Sequence, residues 1–193
     1  MINLKINNVP VSVEPGTTIL QAAKSIGIKI PTLCYLKDIN EIGACRVCVV
    51  EVKGARNLVA SCVYPVNEGM EVFTNSERVL KARKTTIELL LSNHRKECLS
   101  CERNTNCELQ ILAYEYGCDA NKYAGAMCTE PQDSSTEYLI RDNTKCVLCR
   151  RCVAMCNKVQ KIGVLGASER GFDTHIGCAF DMNLVNTPCI GCG

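Results

Sequence analysis

The sequence predicts an α+β fold built around cysteine-held clusters, on three observations. Sixteen of its 193 residues are cysteine, and thirteen of those fall into four spaced groups. Within residues 1–75, β-branched runs bracket a single helical pattern. From about residue 76 to Asn93, and again from Cys107 to Tyr116, the apolar spacing is helical.

Taken in order, Leu4, Ile6 and the run 9–13 predict two short strands joined at Asn7-Asn8, a hairpin turn pair. Thr17-Thr18 then precedes Ile19, Leu20, Ala23 and Ile26, one face of a helix that Gly27 ends. Residues 47–52 and 71–73 predict the returning strands. This order is that of a β-grasp ferredoxin-like domain over residues 1–75. Thr74-x-x-Glu77 has the form of a capping box, opening a helix that ends near Asn93 and delivers His94. A second helix is expected from Cys107 to Tyr116, closed by Gly117, giving a small helical domain over 76–128. Polar, turn-rich residues 129–136 read as a linker. A third domain over 137–193 should begin with a strand at 138–140. It should also hold a hairpin whose strands, 161–165 and 172–176, flank a turn at 166–171.

Composition narrows the function classes. Lysine and arginine number 22 against 20 acidic residues, a net charge of +2, and tryptophan is absent. Neither a basic nucleic-acid footprint nor a base-stacking surface is indicated. No apolar run approaches a bilayer span, and Met1-Ile-Asn-Leu-Lys-Ile lacks a signal-peptide layout. The expected location is cytoplasmic, where thiols stay reduced and clustered cysteines bind metal rather than form disulfides.

The first group, Cys34-x10-Cys45-x2-Cys48-x13-Cys62, offers the four thiolates that a 2Fe–2S cluster needs. Its first gap is longer than in the plant-type pattern. Gly43 and Ala44 leave the backbone before Cys45 open to a cluster. Structural zinc is the competing occupant. The second, His94-x3-Cys98-x2-Cys101-x5-Cys107, suits zinc or a 4Fe–4S cubane with one imidazole ligand, whose neutrality would raise the potential. The third, Cys146-x2-Cys149-x2-Cys152-x3-Cys156, is the bacterial ferredoxin run, with Asn157 where proline usually follows. In two-cluster ferredoxins the fourth cysteine crosses to the other cluster, which here would join Cys156 to the fourth group, Cys189 and Cys192. Thirteen cysteines and His94 make fourteen ligands where four clusters need sixteen, so the expectation is that the last two ligand sets are completed beyond Gly193. Cys118, Cys128 and Cys178 are expected to be small buried side chains. His175 is expected to be structural or exposed, and Arg150 and Arg151 to face solvent or a partner.

The stretches Ile30-Pro-Thr-Leu-Cys-Tyr-Leu36, Gly43-Ala-Cys-Arg-Val-Cys-Val-Val-Glu51, Leu91-Ser-Asn-His94 and Asn143-Thr-Lys-Cys-Val-Leu-Cys-Arg-Arg-Cys152 resemble the accessory-cluster region of FeFe-hydrogenases. The likeness is to the large subunit of multimeric NAD(P)-linked and electron-bifurcating forms. The same module occurs in the complex I large peripheral subunit, in diaphorase subunits of nickel–iron hydrogenases and in formate dehydrogenases. The resemblance implies one 2Fe–2S cluster on Cys34, Cys45, Cys48 and Cys62. It implies a histidine-ligated 4Fe–4S cluster on His94, Cys98, Cys101 and Cys107, then two ferredoxin-type 4Fe–4S clusters. It further implies an oxidoreductase subunit that relays electrons between an NAD(H)-reactive flavoprotein subunit, a small 2Fe–2S subunit or ferredoxin, and a catalytic H-cluster. The H-cluster motifs are not in this sequence. No G-x-G-x-x-G follows a strand, so nicotinamide and flavin fall to a partner. A zinc-built binding module is the distant alternative.

Overall fold

A computed structural model describes residues 1–129 and 132–193. Strands β1 (Ile2–Ile6) and β2 (Val9–Val13) form the expected hairpin, with Leu4 opposite Val11. Asn7 and Asn8 both take positive φ, 49° and 67°, as a two-residue turn matched to strand twist requires. Helix α1 (Ile19–Ser25) starts at Thr18, which accepts from the Gln21 N–H while the Gln21 side chain accepts from the Thr18 N–H. β3 (Val49–Val52), β4 (Val59–Ala60) and β5 (Glu71–Phe73) complete a five-stranded sheet ordered β2-β1-β5-β3-β4. β1 runs parallel to β5, and the other pairs are antiparallel. Leu4, Ile6, Val50 and Val72 pack with Ile19, Leu20 and Ala23 of α1, and Cys48 and Cys62 lie in the same core. Two cysteines of the first group thus share the apolar interior that stabilises the sheet.

Helix α2 (Glu77–Ser92) is capped by Ser76, whose Oγ accepts from the Val79 N–H, and not by Thr74 as the capping-box pattern predicts. Thr74 is committed elsewhere. Its N–H donates to Asn7 Oδ1 and its hydroxyl accepts from Asn7 Nδ2, tying the first turn to the end of β5. α3 (Glu108–Glu115) packs Leu109 and Leu112 against Ile87 and Leu91 of α2 and against Leu33 and Val47 of the first cysteine segment. Burying each such side chain is worth roughly 1.5–3 kcal/mol. Arg83 is buried and bridges the elements, donating to the Val49 carbonyl (2.8 Å) and the Tyr116 hydroxyl (3.2 Å). The buried Glu88 carboxylate accepts from Lys122 Nζ (2.7 Å) and the Asp119 N–H (3.3 Å), pinning the chain beyond α3.

Of the expected linker, Glu130 and Pro131 lie outside the described residues. Asp133, just beyond them, is buried and anchored, unlike a free linker residue. It accepts from the N–H and hydroxyl of Ser135, from the Leu184 N–H and from Arg141 Nη2. The strand expected at 138–140 does not form. Tyr138 and Ile140 are exposed, and the Leu139 N–H and carbonyl both bond to the Thr136 hydroxyl in a local turn. α4 (Arg151–Ala154) runs into one π-helical turn (Met155–Val159). The late hairpin exists, but as β6 (Gly166–Ser168) and β7 (His175–Gly177), a few residues on from the expected strands. Among the described residues no helix is long and apolar enough to cross a membrane.

Candidate iron–sulfur sites

The first group is the most completely formed. Cys34, Cys48 and Cys62 are buried and Cys45 is half-buried, on loops between α1 and β5. The sulfurs gather as two pairs. Cys48 Sγ lies 3.4 Å from Cys62 Sγ, and Cys45 is hydrogen-bonded to Cys34. The Cys34 bond lowers the Cys45 thiol to about 5 against the pull of burial, and the N–H of Val47 assists. Cys48 is lowered to about 7, chiefly by its bond to Cys62 with burial opposing. Their partners Cys34 and Cys62 are pushed up by the same bonds and by burial. Within each pair one thiol is therefore the readier to lose its proton, while its partner keeps one. Two pairs suit two irons bridged by sulfide, each taking two cysteines. Tetrahedral zinc needs all four sulfurs on one ion. Among the described residues no three His, Cys, Asp or Glu side chains close to single-ion spacing.

Local backbone brings the close pairs together. Arg46 sits at φ 59° between Cys45 and Cys48. Leu148 (53°) and Arg150 (59°) do the same within 146–152. A left-handed residue in each of these three C-x2-C segments curls the chain, and the Leu148 N–H donates to Cys146 Sγ at 3.3 Å. Burial pushes the Cys146 and Cys152 thiols up. Cys146, Cys152, Cys156, Cys189 and Cys192 line one cavity of about 560 Å³, walled by apolar side chains that include Ile162 and Leu184. The run and the fourth group therefore share one space, as a crossing fourth cysteine requires.

The second group is strung along three elements. His94 follows α2, Cys98 opens a short 3-10 turn (Cys98–Ser100) and Cys107 caps α3. Cys98 and Leu99 are exposed, so this site has an open edge. His94 Nδ1 is buried without a hydrogen-bond partner, and burial pulls the imidazole below its ordinary pKa. A neutral, unpartnered ring nitrogen fits a metal ligand.

Elsewhere, Cys178 is buried beside Cys156 and Cys189, while Cys118 and Cys128 are half-buried. The Cys128 N–H donates to Asn93 Oδ1, next to His94. His175 is buried and bonded to Asp181 and to the Asp173 carbonyl, a structural role rather than an exposed one. Arg151 departs from the sequence reading. Instead of facing solvent, it binds Glu108 Oε2 (2.7 Å) and the Tyr35 carbonyl (3.1 Å). Sequence reasoning also missed Asn40, buried between the first and third groups. Its only sequence signal is that it lies in the lengthened first gap.

Residues 1–77 match the 2Fe-2S iron-sulfur cluster binding domain family. Residues 83–122 match the NADH-ubiquinone oxidoreductase-G iron-sulfur binding region. The chain is 48% identical, over all of its length and 34% of the relative's, to the NADP-reducing hydrogenase subunit HndD of Solidesulfovibrio fructosivorans. It is 38% identical over 91% of its length to the NADH-ubiquinone oxidoreductase 75 kDa subunit of Reclinomonas americana, covering 26% of that protein. It is 33% identical over its full length to a subunit of the NADH-quinone oxidoreductase of Rhizobium meliloti (strain 1021), covering 22% of that protein. The chain thus spans about a third or less of these curated relatives. A crystal structure of NAD+-reducing NiFe-hydrogenase in the H2-reduced state superposes with TM-score 0.89 at 30% identity, over 97% of this chain and 80% of that one.

Proposed function

This chain joins a 2Fe-2S domain to an NADH-G-type 4Fe-4S region and is homologous to subunits of NAD(P)-linked hydrogenases and of NADH-ubiquinone oxidoreductase; from that premise we propose that it is an electron relay. The 2Fe–2S cluster is held by Cys34, Cys45, Cys48 and Cys62 in a β-grasp domain. A 4Fe–4S cluster is held by His94, Cys98, Cys101 and Cys107. Two ferredoxin-type cubanes draw on Cys146, Cys149 and Cys152, and on Cys156, Cys189 and Cys192. When bound, the clusters supply one-electron exchange. The chain supplies ligand identity, burial and N–H bonds to sulfur, the levers that set potential.

The parent enzyme in this reading is a cytoplasmic FeFe-hydrogenase of the NAD(P)-linked, electron-bifurcating type. Its relay connects an NAD(H)-reactive flavoprotein subunit, a small 2Fe–2S subunit or ferredoxin to the catalytic H-cluster. The higher identity to the NADP-reducing hydrogenase subunit than to the NADH-ubiquinone oxidoreductase subunit supports an NAD(P)-linked hydrogenase as the parent. The 97% structural overlap with the NAD+-reducing NiFe-hydrogenase supports the same relay in a diaphorase subunit as the second reading.

The observation that carries the relay is the pairing of four largely buried sulfurs at Cys34/Cys45 and Cys48/Cys62. Iron, zinc and acid-labile sulfide analysis of the anaerobically purified protein is the test, with electron paramagnetic resonance after reduction. Iron with sulfide, and both 2Fe–2S and 4Fe–4S signals, are expected. Zinc without sulfide overturns the proposal.

A further inference from the structure

The ten residues between Cys34 and Cys45 make the longer first gap, and they turn away from the first site towards the third. Leu36 and Asn40 close a tight turn. The Asn40 N–H donates to the Leu36 carbonyl (2.7 Å), and the Leu36 N–H donates to the Asn40 carbonyl (3.0 Å). Asp38, at φ 63°, makes the reversal. The turn presents three groups to the ferredoxin run. The Tyr35 carbonyl accepts from Arg151, and the Ile39 carbonyl accepts from Lys158 Nζ at 2.7 Å. Asn40, only 2% exposed, spends both amide hydrogens on ligand carbonyls: Cys34 at 2.8 Å and Cys149 at 2.9 Å.

One side-chain amide therefore spans 109 residues of sequence and joins a ligand of the first site to a ligand of the third. Arg151, between Cys149 and Cys152, reaches Tyr35 beside Cys34 and Glu108 beside Cys107. Below this polar seam, Val147, Cys45 and Cys107 pack into one apolar cluster. A neutral amide suits the position. A buried cation there would need a counter-charge, whereas two carbonyl acceptors satisfy an NH2 group completely.

We infer that the segment between Cys34 and Cys45 is an intercluster docking element, and that Asn40 is the positioning residue that fixes the 2Fe–2S site against the ferredoxin-type site. This rests on the relay reading. The bridge Cys34 C=O···H–N–H···O=C Cys149 sets the separation of the two sites and offers a hydrogen-bonded path between their ligands. The exchange it serves is a single electron leaving one site and entering the other, with no bond broken and no proton moved.

The test uses the anaerobically isolated holoprotein, poised so that both sites are reduced. Its readout is the magnetic interaction between them in the resonance spectrum, together with the rate of electron exchange after rapid mixing with reductant. Asn40→Ala and the isosteric Asn40→Asp, which lacks both donors, should lose the interaction and slow the exchange several-fold. Lys158→Ala cuts the exposed contact to the Ile39 carbonyl, which touches no ligand, and should weaken both readouts far less than either Asn40 variant. An undiminished interaction in either Asn40 variant with full iron content overturns the inference. Absence of iron and sulfide from the unmodified protein instead defeats the relay reading on which it stands.

Discussion

Cys48 Sγ and Cys62 Sγ stand 3.4 Å apart inside the core of the five-stranded sheet, 14 residues apart in sequence. Neither sulfur is a late addition to a finished fold. Ser61 also donates its hydroxyl to the Cys48 carbonyl at 2.8 Å, so the two cysteine segments are stitched together on both sides.

Cys62→Ser replaces a soft thiolate with a poor iron ligand of nearly equal size. The sheet should survive, since the oxygen fits the same pocket. The 2Fe–2S signal should vanish or weaken severely while the 4Fe–4S signals persist. Resonance spectra of the reduced protein check this. Equal loss of all signals would place Cys62 outside a separate first site.

Gly43 precedes the Cys45 loop at φ 62°, where an added Cβ would lie 3.1 Å from Val63 Cγ2 and 3.8 Å from the Ala60 Cβ. Gly43→Ala combines left-handed strain with a tight contact, at a cost of about 1–2 kcal/mol. The strain falls on the loop that carries Cys45. The variant should hold its 2Fe–2S cluster less well, measured as faster iron release to a chelator, with the second site unaffected.

Local chemistry explains which parts were readable in advance. Asn7-Asn8, Thr17-Thr18 before α1, and Gly117 after α3 each act on their immediate neighbours, so the turns and helix ends they imply are present. The failures come from partners distant in sequence. Thr74 is taken by Asn7, leaving Ser76 to cap α2, and residues 138–140 find no strand edge to pair with. β4 is only two residues long and owes its existence to β3. The four cysteine groups were legible because the spacing of cysteines is written along the chain. Asn40 and Arg151 were not, because their contacts reach 109 and 116 residues away.

The Asp133 carboxyl is held at about 2. Burial pushes it up, but bonds from Ser135, the Leu184 N–H and Arg141 together outweigh that. Its folded pKa therefore lies below the ordinary 3.8. The stabilisation is fully present above about pH 4 and fades as pH falls towards 2. Arg141 also donates to the Ile176 carbonyl, so the pair ties the chain after residue 131 to β7. Asp133→Ala leaves a half-buried guanidinium without its carboxylate, costing about 1–3 kcal/mol at pH 7. In thermal melts, the gap between parent and variant should stay level from pH 8 to about 5 and narrow below 4. A gap that widens on acidification would reverse the assignment.

In the proposed relay, His94 would give the second site a neutral ligand. Its ring is pulled below the ordinary imidazole pKa of 6.5 by burial, with Asp142 opposing and Lys145 assisting, so it is uncharged at pH 7. Nδ1 has no hydrogen-bond partner to direct it elsewhere. Replacing one thiolate with a neutral nitrogen leaves a cluster less negative and easier to reduce. His94→Cys restores the thiolate and should lower the potential of one 4Fe–4S signal on the order of 100 mV, read by redox titration, leaving the others in place. His94→Ala removes the ligand and should cost iron at this site alone. An Ala variant with full iron and an unshifted set of potentials would show that the imidazole never touched the metal. The lone ring nitrogen would then be an uncompensated buried polar atom, costing the fold on the order of 1–3 kcal/mol. Stability separates the two accounts. If Nδ1 is merely orphaned, His94→Ala should stabilise the metal-free protein and leave the holoprotein's iron unchanged; if it is a ligand, the holoprotein loses stability along with that iron.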